Sequence, residues 1–419
     1  MIRRKNINEM IAEFTDTIKG IGKDAKFRRI RNERIMGIEM YQGDQLEYLK
    51  PKYANIKDVT LVVDNITRRV VQEWSMVYKS PPGYSSEKLL ETFPHRIDTM
   101  KSVERYSNLL GIVGVRPVIE DGKGYHDIIL DFMTFFDVDT QNPDPIGLIY
   151  PKSGINFYLW TDDEFLEFDL EGKIKDRGPN EYGKIPVVFK FVEFGEWDHT
   201  GMNDVVRSNQ VYNEGLTNLH HTHYFQSFKI PYITSESSLN NFTLELDVSK
   251  PIVLENAVGV NIGMLDLQSN FTQSIEVMKF TLDRTLSNYH MRSEFEDGGN
   301  VSSGLSIIAR KSGLMEAREA MIPGWDAFES DLYDMERLVC EKNNINLDKV
   351  NEVTFTLDPI VKDPQETRDH WDWLINNGYK RPIDYMIEEM GLSEEEAQKR
   401  IEDAGGEFIT ALRSPAEPV

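Results

Sequence analysis

The chain has 419 residues, 70 of them acidic and 47 basic, for a formal net charge of −23. That length calls for more than one core, and a 40% hydrophobic share excludes a disordered chain. The charge opposes the basic footprint of a sequence-specific DNA binder, and the single cysteine, Cys340, excludes an intramolecular disulfide and any multi-cysteine metal centre, which fits a reducing cytoplasm.

The N-terminal "MIRRKNINEMIAEF" starts basic but has no apolar core of signal-peptide length, and "NLLGIVGV" from Asn108 is too short for a membrane span. Residues 1 to about 80 read as helical and charged. The basic cluster Lys23, Lys26, Arg28, Arg29, Arg31 and Arg34 reads as a solvated helix face, because acidic and apolar residues are interleaved with it. Asn65 to Pro82 predicts one amphipathic helix stopped by Pro81 and Pro82.

From Val113 to Val192 the pattern changes to short aromatic and β-branched runs separated by Asp121-Gly122, Glu171-Gly172 and Tyr182-Gly183. This predicts an antiparallel β meander with one wet face. Helix returns near Gly201, with Val205, Tyr212, Leu216, Leu219 and His223 on one stripe. A small β-rich unit follows from Ile230 to Leu267. A second helix starts near Thr272, its stripe formed by Ile275, Met278, Leu282, Leu286 and Tyr289.

After the polar stretch "SEFEDGGNVSSG" comes the longest helical pattern: Leu314, Ala317, Met321, Trp325, Phe328, Leu332, Met335 and Val339. Pro323-Gly324 lies inside it without breaking the register, which predicts one kinked helix. The C-terminal part carries helix punctuation at Asp363-Pro364, Pro382 and Gly391. A capping box of Ser393 with Glu396 and a stop at Gly405-Gly406 follow, before a frayed "RSPAEPV" tail.

The catalytic inventory is thin. "KGIGKDAK" lacks the phosphate cradle, since Thr17 stands where its first glycine belongs, and no serine has glycine two positions away on both sides. His220, His221 and His223 lack a metal-site partner acid and read as packing and surface residues. The expectation is a non-enzymatic protein with no cofactor and no metal.

Four stretches in order, "YQGDQLEYL", "NEYGKIPVVFKF", "GGNVSSGLS" and "INNGYKRPIDYMIEEMGLSEEEAQKRI", resemble the portal proteins, or head-to-tail connectors, of tailed double-stranded DNA bacteriophages. The resemblance covers most of the chain. Relatives often place Ser where Arg381-Pro382 stands here, a position that proline suits at the start of a helix.

The resemblance implies an α+β fold with an α/β wing, a two-helix stem, a small β-rich clip, a long kinked helix and an α-helical crown. It places the wing at 1–200, stem helices at 201–229 and 272–295, the clip at 230–271, a tunnel loop at 296–303, the long helix plus a strand at 304–362, and the crown and tail at 363–419. The DNA-facing loop would be Glu296, Asp297, Gly298, Gly299, Asn300, Val301, Ser302 and Ser303. Partner docking at the clip would fall on Ser235, Glu236, Ser237, Ser238, Leu239, Asn240 and Asn241.

The implied protein is a structural subunit of the virion, assembled in the host cytoplasm into a homododecamer-like ring of about a dozen copies at the capsid vertex. The ring would be the channel for DNA packaging and ejection. Its partners would be the terminase motor, a head-tail adaptor, capsid and scaffolding proteins, and weakly held double-stranded DNA, with no membrane. The alternatives are another phage ring such as a tail adaptor or, from a different class, a carboxylate-type hydrolase.

Overall fold

Asn6 opens the first described helix by accepting the Glu9 N–H at 2.9 Å, while Glu9 accepts the Asn6 N–H at 3.1 Å, a reciprocal cap. This computed structural model describes residues 6–20, 25–56, 59–136, 145–153, 155–193, 197–227, 230–235, 260–265, 271–291, 304–355, 371–388 and 393–403. The chain divides into two units: Met1–Glu296 with Glu316–Leu357, and Asp297–Met315 with Asp358–Val419.

In the first unit, four helices lead: α1 (Ile7–Ile18), α2 (Ala25–Gln42), α3 (Gln45–Tyr53) and α4 (Ile66–Trp74). A short strand β1 (Gly83–Tyr84) precedes α5 (Glu87–Thr92) and α6 (Arg96–Leu110). Gly111 closes α6 at φ 84°, and a Cβ there would sit 2.6 Å from the His199 carbonyl oxygen, so only glycine fits.

Eight strands follow: β2 (Ile112–Glu120), β3 (Lys123–Ile129), β4 (Met133–Phe136), β5 (Pro145–Ser153), β6 (Asn156–Trp160), β7 (Glu164–Asp169), β8 (Ile174–Pro179) and β9 (Val188–Phe191). They do not form one meander. β3-β2-β9 is a three-stranded sheet, and β4 to β8 form a separate five-stranded meander. The run "HDIILDFMTFFDV" is divided between the two sheets near Phe132, whose side chain lies in the core between them.

The expected wet face of the meander is confined to its β7–β8 end, where Glu167 accepts from Lys152 at 2.7 Å and from Asn156 at 3.1 Å and β8 is exposed. Period-two alternation puts Ile149, Phe157, Leu159, Leu166 and Phe168 on one side, where α1 covers them with Met10, Ile11 and Phe14. The opposite side carries Leu148, Tyr150 and Trp160 and packs on Ile112, Ile129 and Phe132. Polar tips misled the pattern: the Tyr150 hydroxyl is satisfied inside by Trp160 Nε1 at 3.1 Å and Arg116 Nη1 at 2.9 Å.

Two expectations for the N-terminal helices need correction. The helix from Asn65 stops at Trp74, well before the prolines, because Met76–Tyr78 is buried and its peptide groups are claimed by side chains from α6 and a later helix. The α2 cations are not merely solvated. Arg31 pairs with Asp131 at 2.6 Å, Lys26 with Asp198, and buried Arg34 lies over the Phe132 ring at 4.8 Å. Burial lowers the Arg34 pKa to about 10, against the opposing pull of Asp131 and Asp198.

The remaining elements are α7 (Asn203–Ser227), β10 (Ile230–Ser235), β11 (Val260–Leu265), α8 (Phe271–Ser287), α9 (Gly304–Lys342) and β12 (Val353–Thr354), which pairs with β1. α8 ends at Ser287 rather than near Phe295. His290 turns left-handed at φ 53° and the Met291 N–H reaches back to the Leu286 carbonyl at 3.0 Å, closing the helix. α9 is continuous through Pro323. In the second unit, Ile383 and Met386 of helix Pro382–Glu388 pack with Ala397 of helix Glu394–Asp403, and Ser393 with Glu396 forms the expected cap. The fold class is α+β.

Candidate functional site: an uncovered helical hairpin and a held helix

α7 and α8 run antiparallel, as three contacts show. Ser208 meets Thr285 at 2.7 Å, a Cβ on Gly215 would come within 2.8 Å of Met278 Sδ, and the His223 ring meets Phe271 edge-on at 5.9 Å. Gly215 therefore sets how closely the two helices approach. Where α7 leaves the body and α8 returns, β10 and β11 pair from Ile230↔Leu265 to Ser235↔Val260.

A polar ladder ties α7 to the body. Asn209, Asn213 and Thr217, spaced four residues apart on one face, engage the extended chain before and at the start of α4. Asn209 Oδ1 accepts from the Thr67 N–H at 3.1 Å, Asn213 Oδ1 from the Asp64 N–H at 2.9 Å, and Thr217 Oγ1 from the Val62 N–H at 3.1 Å. Each amide also donates to the Asp64 carbonyl, so the backbone of this segment is bound as a strand partner would bind it.

The outer side of the hairpin is different. Val211 of α7 is 59% exposed, and Val277 and Phe280 of α8 are 59% and 69% exposed. Beside Val277 lies an open groove lined by Gly215, Leu219, Thr222, Ser274 and Met278. Within the chain nothing among the described residues covers these apolar side chains, although Leu282 and Leu286 on the inner side of α8 are buried.

The C-terminal part of α9 is the opposite case. Arg96 of α6, fully buried, donates to Glu329 at 2.6 Å and to Glu336 at 2.8 Å, and His126 of β3 shares a 2.6 Å hydrogen bond with Glu336. Tyr78 and Tyr84 direct their hydroxyls at Glu329. Burial works against the Arg96 charge, but Glu329 and Glu336 outweigh it and hold the guanidinium more firmly protonated. Burial likewise pushes the Glu336 carboxyl up, and Arg96 and His126 overcome it, leaving its pKa below the usual value. These acids present no surface to a solute.

A second buried polar group grips Met76–Tyr78. Glu104 of α6 accepts the Val77 N–H at 2.7 Å and the Tyr78 N–H at 3.0 Å, while Arg318 of α9 donates to the Met76 carbonyl at 2.9 Å. Burial raises the Glu104 pKa to about 7, opposed by those N–H groups and by Arg318. Burial lowers Lys190 of β9 to about 8, opposed by Glu104.

Of the expected docking residues, Ser235 ends β10 opposite Val260. Glu236 to Asn241 and the whole expected tunnel loop, Glu296 to Ser303, lie outside the described residues. The histidines of α7 are on a helix with His220 and His223 exposed, and among the described residues no group of three or more His, Cys, Asp and Glu is placed to hold a metal ion. No described helix is long and apolar enough to cross a membrane. Sequence reading missed the Asn209–Asn213–Thr217 ladder and the Arg96 cluster. The first had a signal in its four-residue spacing, and the second in two glutamates seven residues apart on an apolar stripe.

No family model matches this chain, and no curated protein matches it. Among solved structures it is similar to a chain of the neck of an empty gene transfer agent (GTA) particle computed with C6 symmetry, at 11% identity and TM-score 0.44, covering 84% of this chain and 94% of that one. A chain from the virion of a native GTA particle gives 11% identity and TM-score 0.43, covering 86% and 99%. One from the neck of a native GTA particle computed with C12 symmetry gives 10% identity and TM-score 0.44, covering 82% and 92%.

Proposed function

We propose that this chain is a non-enzymatic subunit of a portal-like ring, the channel through which double-stranded DNA enters and leaves a phage-type capsid. The observation that carries the reading is the α7–β10–β11–α8 excursion. Its two long helices bury one side against each other and the body, and turn Val211, Val277 and Phe280 outward. A second copy of the chain is the occupant we assign to that side. Closed rings use two different surfaces of each subunit, and this outer side, with Phe280 and the neighbouring groove, would be one of them.

The order of sequence motifs supports the same reading, and so does the acidity. Carboxylates around a channel form no ion pairs with phosphate and release no counterions, so DNA would slide rather than stick. On this reading Glu296 to Ser303 face the DNA, and Ser235 to Asn241 dock terminase or a head-tail adaptor. The ring would sit at the portal vertex of the virion after assembly in host cytoplasm.

Native mass spectrometry at micromolar concentration, followed by negative-stain microscopy, tests it. The expected result is a closed ring of about a dozen copies. A strictly monomeric chain at every salt and protein concentration would sink the proposal. A ring that binds no terminase motor would instead make it an adaptor.

A further inference from the structure

Pro323-Gly324 is the point in α9 where a helix ordinarily bends, because Pro323 has no N–H to offer the carbonyl four residues earlier. Here both residues are exposed, and so is Glu319, whose carbonyl loses its donor. The buried side carries attachments before, at and after the break. Upstream, Arg318 donates through Nε to the Met76 carbonyl at 2.9 Å and through Nη2 to the Val77 carbonyl at 3.4 Å. The segment it grips is held from the other side by Glu104, so Arg318 is attached to a fixed point.

At the break, Lys190 Nζ donates to the Gly324 carbonyl at 3.2 Å and stands 4.6 Å from the centre of the Trp325 ring. Downstream, Trp325 is buried, with its ring 5.0 Å from that of Tyr78 and 5.6 Å from that of Phe328. Arg318, Trp325, Glu329 and Glu336 fall on one line of the helix, since steps of seven, four and seven residues return to nearly the same angle.

We infer that the proline–glycine break is not the hinge of α9: the attachments of Arg318 and Lys190 splint it, and among the described residues the held length of the helix runs from Arg318 onward. From Arg318 onward α9 moves as one piece with α6 and β9. Nor can it ratchet along them. A slide of one turn, about 5.4 Å, would take Arg318 off its carbonyls and both glutamates off Arg96 together.

Amide hydrogen exchange on the full-length chain, read by mass spectrometry, tests this. In the wild type, peptides over 319–327 are expected to exchange as slowly as those over 328–340. Arg318→Met keeps the aliphatic bulk and removes the donors, and is expected to speed exchange over 319–325 about tenfold while 328–340 stays slow. Pro323→Ala repairs the break, leaving Gly324 and its bond to Lys190 in place, and should leave the position of the boundary unchanged. Two results would overturn the inference: 319–327 exchanging as fast as the residues before Arg318 in the wild type, or the repaired variant slowing that stretch about tenfold. Should Arg318→Met fail to fold, Lys190→Met reads the same peptides. Faster exchange around Gly324 is expected, and an unchanged rate there counts against the splint.

Discussion

α8 and the C-terminal part of α9 are both amphipathic helices, but they treat their residues in opposite ways. α9 buries charge on its inner line: Glu329 and Glu336 pair with Arg96 of α6, and Arg318 bonds to the carbonyls of Met76 and Val77, with Nη1 of Arg96 left without a hydrogen-bond partner among the described residues. α8 exposes Val277 and Phe280, which have no such partner. Burying ions is costly unless every one is paired, and exposing a cluster of large apolar groups is costly unless something covers it. One region is therefore largely finished within a single chain, and the other is unfinished.

The most forceful way to break the comparison is to remove the cation from the finished side. Arg96→Met leaves Glu329 and Glu336 buried without a counter-charge and is expected to cost about 3–5 kcal/mol. Urea denaturation reads this, and a cost near zero would mean that the cluster is not closed as described.

A smaller effect concerns Glu104. Its pKa is raised from 4.5 to about 7, so the folded chain keeps a proton that the unfolded chain releases across that interval. Its contribution to stability is full below about 4.5 and is lost as pH rises through about 7. Wild type minus Glu104→Gln should therefore be more favourable at pH 5 than at pH 7.5, by on the order of 1–3 kcal/mol. Denaturation curves of both proteins at the two pH values check the sign.

On the unfinished side, Gly215→Val forces α7 away from Met278 and should cost about 1–2 kcal/mol, because the thioether can shift only partly. Thermal melts of the isolated subunit measure it. Phe280→Asp sharpens the contrast most with the least effect on the single chain. Stability should change by less than about 0.5 kcal/mol, while assembled mass in native spectrometry disappears. A variant that assembles like wild type would leave Phe280 an ordinary surface residue.

How much of this was legible in the sequence depends on whether an element is decided locally. The α9 stripe from Leu314 to Val339 and the Ser393–Glu396 cap are local, and both stand in the structure as helix and cap. The end of α4 was not legible. Nothing near Trp74 stops a helix, and it is Glu104 and Arg318, distant in sequence, that hold Met76–Tyr78 in another conformation. The two-sheet split failed for the same reason, since strand partners are chosen by tertiary burial at Phe132 rather than by the composition of the run. For the site, the buried stripe residues Leu282 and Leu286 were read from their spacing, whereas the exposure of Phe280 on the other side was not. The pairing of Arg96 with two glutamates did not, because a buried charge looks in sequence like a solvated one.

The placement of α1 bears on how the chain comes into being. Its apolar residues Met10, Ile11 and Phe14 rest on strands β4 to β7, encoded far downstream. During synthesis from the N-terminus this helix is translated long before the sheet it will cover, so its greasy side must wait or be shielded. Closing so long a loop is slow, and until it closes the aromatic face of Phe157 and Phe168 stands open to other nascent chains. A helix made early thus finds its place late, after the strands it covers have been made.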